Sequence, residues 1–151
     1  MERKLSSSQY HSIINSTEMK IFNYLLAALF FFFAYVQYND VDPGIYHNPS
    51  SLDAALWLLF YALIGIGFIL LNFRRLPVWF FLVAVIACLT EMSLSGPGLW
   101  ENLFGEEKFT MTQVSMSAND PRVELTREFF GALIALFAVL FQFWQNKRIK
   151  I

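Results

Sequence analysis

The chain has 151 residues and a formal net charge of −1, with 56% hydrophobic, 18% aromatic and only 15% charged side chains. Soluble domains carry about 25% charged residues, so lipid rather than water is the expected main solvent, and nothing in the chain forms a basic patch for nucleic acid. Its one cysteine, Cys88, excludes a disulfide framework and a cysteine-based metal site, while His11 and His47 lie outside the apolar runs and cannot hold a haem between them within a membrane.

Residues 1–19 are polar and are expected to form a disordered tail, with Met19 and Lys20 offering an alternative start. A cleaved signal peptide is disfavoured, because the run that follows is too long and ends in Gln37-Tyr38-Asn39-Asp40 rather than in a small-residue cleavage site. Four apolar segments then follow: Ile21 to Tyr38, Ala54 to Leu71, Pro77 to Leu94 and Phe129 to Gln145. As helices each spans about 25 to 27 Å, just enough for a bilayer. The expectation is an all-α, integral membrane four-helix bundle over residues 20–146, with helices near 21–38, 54–71, 77–94 and 124–145 and a basic tail at 147–151.

Local signals mark the helix limits. Ser50-Ser51-Leu52-Asp53 reads as a variant capping box, Pro77 suits a first helical turn, and Ser95-Gly96-Pro97-Gly98 is expected to stop the third helix. Asn119-Asp120-Pro121 caps a fourth helix that begins in water before it enters lipid. The outer loop 95–123 carries Trp100, Leu103, Phe104 and Phe109 among acids, a pattern that suits either a short interfacial helix or an open loop with aromatic anchors. Phe30 to Phe33 and Phe137, Phe141, Phe143 and Trp144 read as lipid-facing or belt residues. Ala62, Gly65 and Gly67 form a small-residue patch where another helix can approach closely.

Basic residues set the threading. Arg3, Lys4, Lys20, Arg74, Arg75, Lys147, Arg148 and Lys150, eight of the eleven, fall on one side of a four-crossing chain. By the positive-inside rule both termini are cytoplasmic, and the expected location is a bacterial inner (plasma) membrane. The acidic loops then face outward.

That threading brings Gln37, Asn39, Asp40, Asp42, Glu91, Glu124, Arg127 and Glu128 to one level. Glu124, Arg127 and Glu128 are spaced i, i+3 and i+4 and share a helix face, from which Arg127 can pair with Asp40, Asp42 or Glu91. Glu91 is an acid within an apolar span, where a lipid-facing carboxylate costs about 2 to 3 kcal/mol, so it is expected to face the interior or the nearby interface. Two readings of the cluster stand side by side. One is a pocket for a small ligand, a cation or an envelope partner; the other is a set of caps and ion pairs that locks the bundle. Asp40, Asp42 and His47 are weak metal candidates, a lone loop histidine being a poor signal. An integral membrane enzyme using Glu91, Asp40 or Asp42 as acid or base, with or without a metal, and a structural subunit contacting partners through the small-residue face are the alternatives. No catalytic set and no cofactor is indicated.

Two motifs carry a resemblance. Gln37-Tyr38-Asn39-Asp40-Val41-Asp42-Pro43 with Tyr46 resembles the QxNDPDPxxW stretch of the transmembrane protein 220 family, and Glu124-Leu125-Thr126-Arg127-Glu128-Phe129-Phe130-Gly131 is similar to its ExTREFxG stretch. The resemblance covers Met19 to Trp144, and it implies a small four-helix integral membrane protein without an assigned activity. Val41 replaces a proline and Tyr46 a tryptophan of the family pattern, and Glu91 matches no family position.

Overall fold

The computed structural model describes residues 7–39, 41–47 and 49–149, with side chains from Thr17 onward apart from Asn39. Four helices follow one another: α1 (Ser7–Val36), α2 (Ser51–Leu71), α3 (Val78–Phe104) and α4 (Arg122–Arg148), with 3-10 turns at Gln37–Asn39 and Gln113–Ser115. Among the described residues no strand forms, and Ser117 and Asp120 make an isolated bridge.

α1 begins fourteen residues before the expected position 21, because nothing between Ser7 and Lys20 is a glycine or proline that would interrupt a growing helix. Only residues 1–6 of the expected tail lie outside the described residues. α2 starts as expected: the Ser50 hydroxyl accepts the Asp53 N–H at 3.4 Å, and Asp53 places an acid in the first turn. α4 starts directly after Pro121, as the Asn-Asp-Pro signal implies.

α3 departs most from expectation. It runs through Ser95-Gly96-Pro97-Gly98 to Phe104, and Pro97 sits inside it. The buried residues Ser95, Gly98 and Asn102 recur at helical spacing on the face that meets α4, and a Cβ at Gly98 would collide with Leu125. Close packing therefore overrides the local break. The Ser93 and Ser95 hydroxyls donate to the Leu89 and Glu91 carbonyls at 2.8 and 2.7 Å, so both are satisfied by the backbone of their own helix. At 27 residues α3 is about 40 Å long, about 10 Å more than a hydrocarbon core. Trp100, Leu103 and Phe104 thus belong to the protruding end of α3 rather than to a separate interfacial helix.

Thr17–Val36, Ser51–Leu71 and Val78–Phe104 are long and apolar enough to cross a membrane. α4 lies along α3 from Leu125 beside Gly98 to Asn146 beside Leu76, so it occupies the same depth. The architecture is an all-α, multi-span membrane bundle made of two hairpins. α1 packs chiefly on α2, α3 chiefly on α4, and α2 meets α4 to join the pairs.

Glycines set the closest approaches. A Cβ at Gly65 would come within 3.2 Å of the Ala27 carbonyl and the Phe31 ring on α1, and one at Gly67 within 2.9 Å of Gln142 on α4. The small-residue patch of α2 is therefore filled from within the chain, which removes it as the contact of a structural subunit. The core carries another correction: Phe30 is only 1% exposed and packs against Tyr61 and Phe68 rather than lipid. Phe137 and Trp144 do face outward, with Leu25, Phe32, Leu59, Leu63, Val83 and Ile86. This apolar perimeter around an interior that holds Asn23, Gln142, Gln145 and Asn146 is the reverse of a soluble bundle.

Candidate functional site at the loop-bearing rim

The end of the bundle that carries the two longer connections is built from the α1–α2 loop, the segment from Gly105 to Pro121 and the first turns of α4. Glu124 anchors it. It is 9% exposed, and its Oε2 accepts the backbone N–H of His47 at 2.7 Å, while His47 Nδ1 lies 2.8 Å from the Ala118 carbonyl. The acid at the start of α4, in the half of the helix dipole that favours negative charge, holds the α1–α2 loop, and the His47 ring joins that loop to the outer segment.

The remaining expected residues divide. Gln37 is half-buried in the 3-10 turn that ends α1, and Asn39 shares that turn. The Asn39 side chain and all of Asp40 lie outside the described residues. Asp42 is exposed and shapes its own turn, with Oδ1 accepting the Gly44 N–H at 2.8 Å and its carbonyl accepting from Ile45 and Tyr46 at 3.1 and 3.0 Å. Arg127 is exposed and reaches across to Met116, with Nη1 3.2 Å from the sulfur. Glu128 is half-buried on the same helix face. Glu91 is half-buried on α3. Of the metal candidates, His47 and Asp42 are engaged in the hydrogen bonds just given, and among the described residues no three His, Cys, Asp or Glu side chains gather around a metal position.

A second constellation at this rim escaped the sequence reading. Asn102, 1% exposed near the end of α3, donates through Nδ2 to the Thr110 carbonyl at 2.7 Å and to the Thr126 hydroxyl at 2.9 Å. Its Oδ1 accepts from Arg122 Nη1 at 2.7 Å and from the Thr110 N–H at 3.3 Å. Arg122 also pairs with Asp120 at 2.8 Å and donates to the Lys108 carbonyl at 3.1 Å. The arginine that organises the rim is thus Arg122, five residues before Arg127. Its signal was present in Asp120-Pro121-Arg122, where an acid and a base flank the capping proline, but Asn102 lies among Trp100, Leu103 and Phe104 and offers no pattern of its own.

Two clefts open here. One, of about 470 Å³, is bounded by Glu101, Phe104, Gly105, Glu106, Glu107, Asp120 and Arg122. The other, of about 360 Å³, lies between the end of α1 and the outer segment, against Tyr35, Tyr38, Asp42, Tyr46 and Gln113.

The opposite end holds a different network. Asn23 donates to Asn72 at 2.8 Å and accepts from Gln145 at 2.9 Å, while Asn146 exchanges two hydrogen bonds with the backbone of Leu76 at 2.8 and 3.0 Å. Gln142 donates to the Ile64 carbonyl at 2.7 Å. The basic residues gather at this end: Arg75 donates to the Ile149 carbonyl at 2.7 Å, Lys147 lies 4.4 Å over Phe143, and Arg148 lies 3.8 Å over Trp144.

Four packed helices, a loop carrying the Gln37–Tyr46 motif and an α4 opened by Glu124 to Gly131 are the features on which the resemblance rests. Residues 29–144 match the family described as Transmembrane family 220, helix. The chain belongs to this family. No curated protein and no solved structure matches it. As a member of transmembrane family 220, the protein is a multi-pass integral membrane protein, and both family motifs border the loop-bearing rim.

Proposed function

We propose that the protein is a non-catalytic membrane protein of the bacterial inner membrane whose outward-facing polar rim binds a small ligand, a cation or an envelope partner. The observation that carries this reading is the double tie of His47, whose backbone N–H is held by the buried Glu124 carboxylate on α4 and whose ring meets the Ala118 carbonyl, making one built surface of two loops distant in sequence. A fixed rim with clefts bounded by Asp42 on one side and Arg122 on the other is suited to recognition. The cytoplasmic assignment of the termini draws support from the joining of Arg75 to the C-terminal end, with Lys147 and Arg148 alongside, because basic flanks are retained on the cytoplasmic side.

Membrane-impermeant maleimide labelling of intact cells tests the orientation. Cys88 is fully buried and stays silent, so Val41→Cys and Ser115→Cys should label while Phe73→Cys should not. Labelling at 73 with silence at 41 and 115 would invert the reading. Binding is tested by native mass spectrometry of the full chain extracted in mild detergent without chelator. An adduct on the wild type that Glu124→Gln or Arg127→Gln removes is the expected result, and a bare wild-type chain defeats it.

A further inference from the structure

We infer that the 360 Å³ cleft at the end of α1 holds the ammonium headgroup of a zwitterionic membrane lipid, with the acyl chain lying along α1. Among the described residues its walls are Tyr35, Val36, Tyr38, Asp42, Ile45, Tyr46 and Gln113: three tyrosines and a carboxylate, with no lysine, arginine or histidine. That set has one evident chemical complement. Electron-rich aromatic faces and a carboxylate attract an organic cation, and aromatic walls are the recurring means of recognising substituted ammonium groups. A wall without basic residues gives no corresponding hold on an anionic headgroup. The volume falls within the range of small-ligand sites, about 300 to 1,000 Å³.

The apolar surface leading to the cleft argues for a lipid rather than a free amine. Leu25, Leu29, Phe32 and Val36 are all exposed, and at i, i+4, i+7 and i+11 they form one stripe on α1. From Leu25 to Val36 the helix rises about 16 Å, close to one leaflet of a hydrocarbon core about 30 Å thick. The stripe ends at Val36, which is itself a wall of the cleft. A chain lying on it places its headgroup at Tyr35 and Tyr38, the level where tyrosines gather at membrane interfaces. Asp42 is already oriented, because its Oδ1 is held by the Gly44 N–H at 2.8 Å.

The inference rests on the rim reading only in treating this end of the bundle as the ligand-bearing one. The test uses the full chain in mixed nanodiscs with equal phosphatidylethanolamine and phosphatidylglycerol, whose glycerol headgroup lacks the ammonium, and reads the retained lipids by native mass spectrometry. The wild type should retain phosphatidylethanolamine at roughly fivefold to tenfold excess, the scale of a partly desolvated cation–aromatic contact. Asp42→Asn and Tyr38→Leu, each checked for an unchanged melting temperature, should bring the ratio near one. If either variant fails to fold, the other supplies the result. Equal retention by the wild type, as expected of tyrosines that merely mark the interface, overturns the inference. So does a preference untouched in the folded variants. Free ethanolamine at millimolar concentration should leave the bound lipid in place, and its displacement would assign the cleft to a soluble amine instead. A ratio near one with adducts still lost on Glu124→Gln defeats the headgroup assignment alone, whereas labelling of position 73 defeats the rim orientation.

Discussion

The two ends of the bundle are both polar and are held in opposite ways. At the basic end the buried polar groups are neutral amides on helices, with Asn23, Gln145 and Asn146 projecting between α1, α4 and the turn around Asn72 and Leu76, and the cations Arg75, Lys147 and Arg148 are exposed. At the other rim charged groups are bound to loops, with Arg122 and Asp120 organised by Asn102 and with Glu124 holding His47. A buried amide can be satisfied by another amide without carrying a charge into a low dielectric, whereas at a protruding rim a charged side chain keeps part of its hydration. The amide end therefore fixes how helices pack, and the charged rim fixes how loops are shaped.

The largest effect should come from breaking the rim at its buried hub. Asn102→Leu removes four hydrogen bonds to Arg122, Thr110 and Thr126 at once and should lower stability by about 3 kcal/mol, since a typical bond contributes about 0.5 to 1.5. Reversible unfolding in mixed micelles measures it, and a loss below that of the amide variants described next would reverse the ranking of the two ends. A slightly smaller loss, about 2 kcal/mol, is expected of Gly98→Val through overpacking against Leu125. Gly96 meets nothing within 4 Å, so Gly96→Ala should cost nothing; equal losses at both positions would mean that α3 does not rest on α4 through Gly98.

The smallest effects belong to the amide end. Asn23→Leu and Gln145→Leu should each cost about 1 kcal/mol, and the double variant should show a coupling near 0.6, the usual size for hydrogen bonds between membrane helices. Additive losses would show that α1 and α4 are not joined there. A coupling above the Asn102 effect would make the amides, not the rim, the dominant clamp.

Much of this was legible in the residues. The four helices, the Ser50 cap, the start of α4 after Pro121 and the close approach at Gly65 and Gly67 follow from apolar length, capping chemistry and side-chain size, all local properties. That the start of α4 meets the α1–α2 loop follows from alternating helices returning to the same surface, but the residue that Glu124 holds there, His47, was not among the partners expected for it. The amides Gln142, Gln145 and Asn146 carried a signal that could have been used: i, i+3 and i+4 spacing places them on one face of a helix otherwise rich in Phe and Leu.

Other features depended on contacts between distant segments. Phe30 points to the core and Phe32 outward, a choice that four consecutive phenylalanines leave open until α2 supplies Tyr61 and Phe68. Ser95-Gly96-Pro97-Gly98 contains every local mark of a helix end, yet the helix persists because α4 covers Gly98. Arg122 rather than Arg127 organises the rim because Asn102 stands opposite it on α3. The sequence by itself determined that the chain lives in lipid, how many helices it forms and which of their ends carry charge, since transfer of side chains from water depends on composition alone. Which residues face one another was decided only when the helices packed, since a contact is a property of two surfaces and neither carries the other's shape.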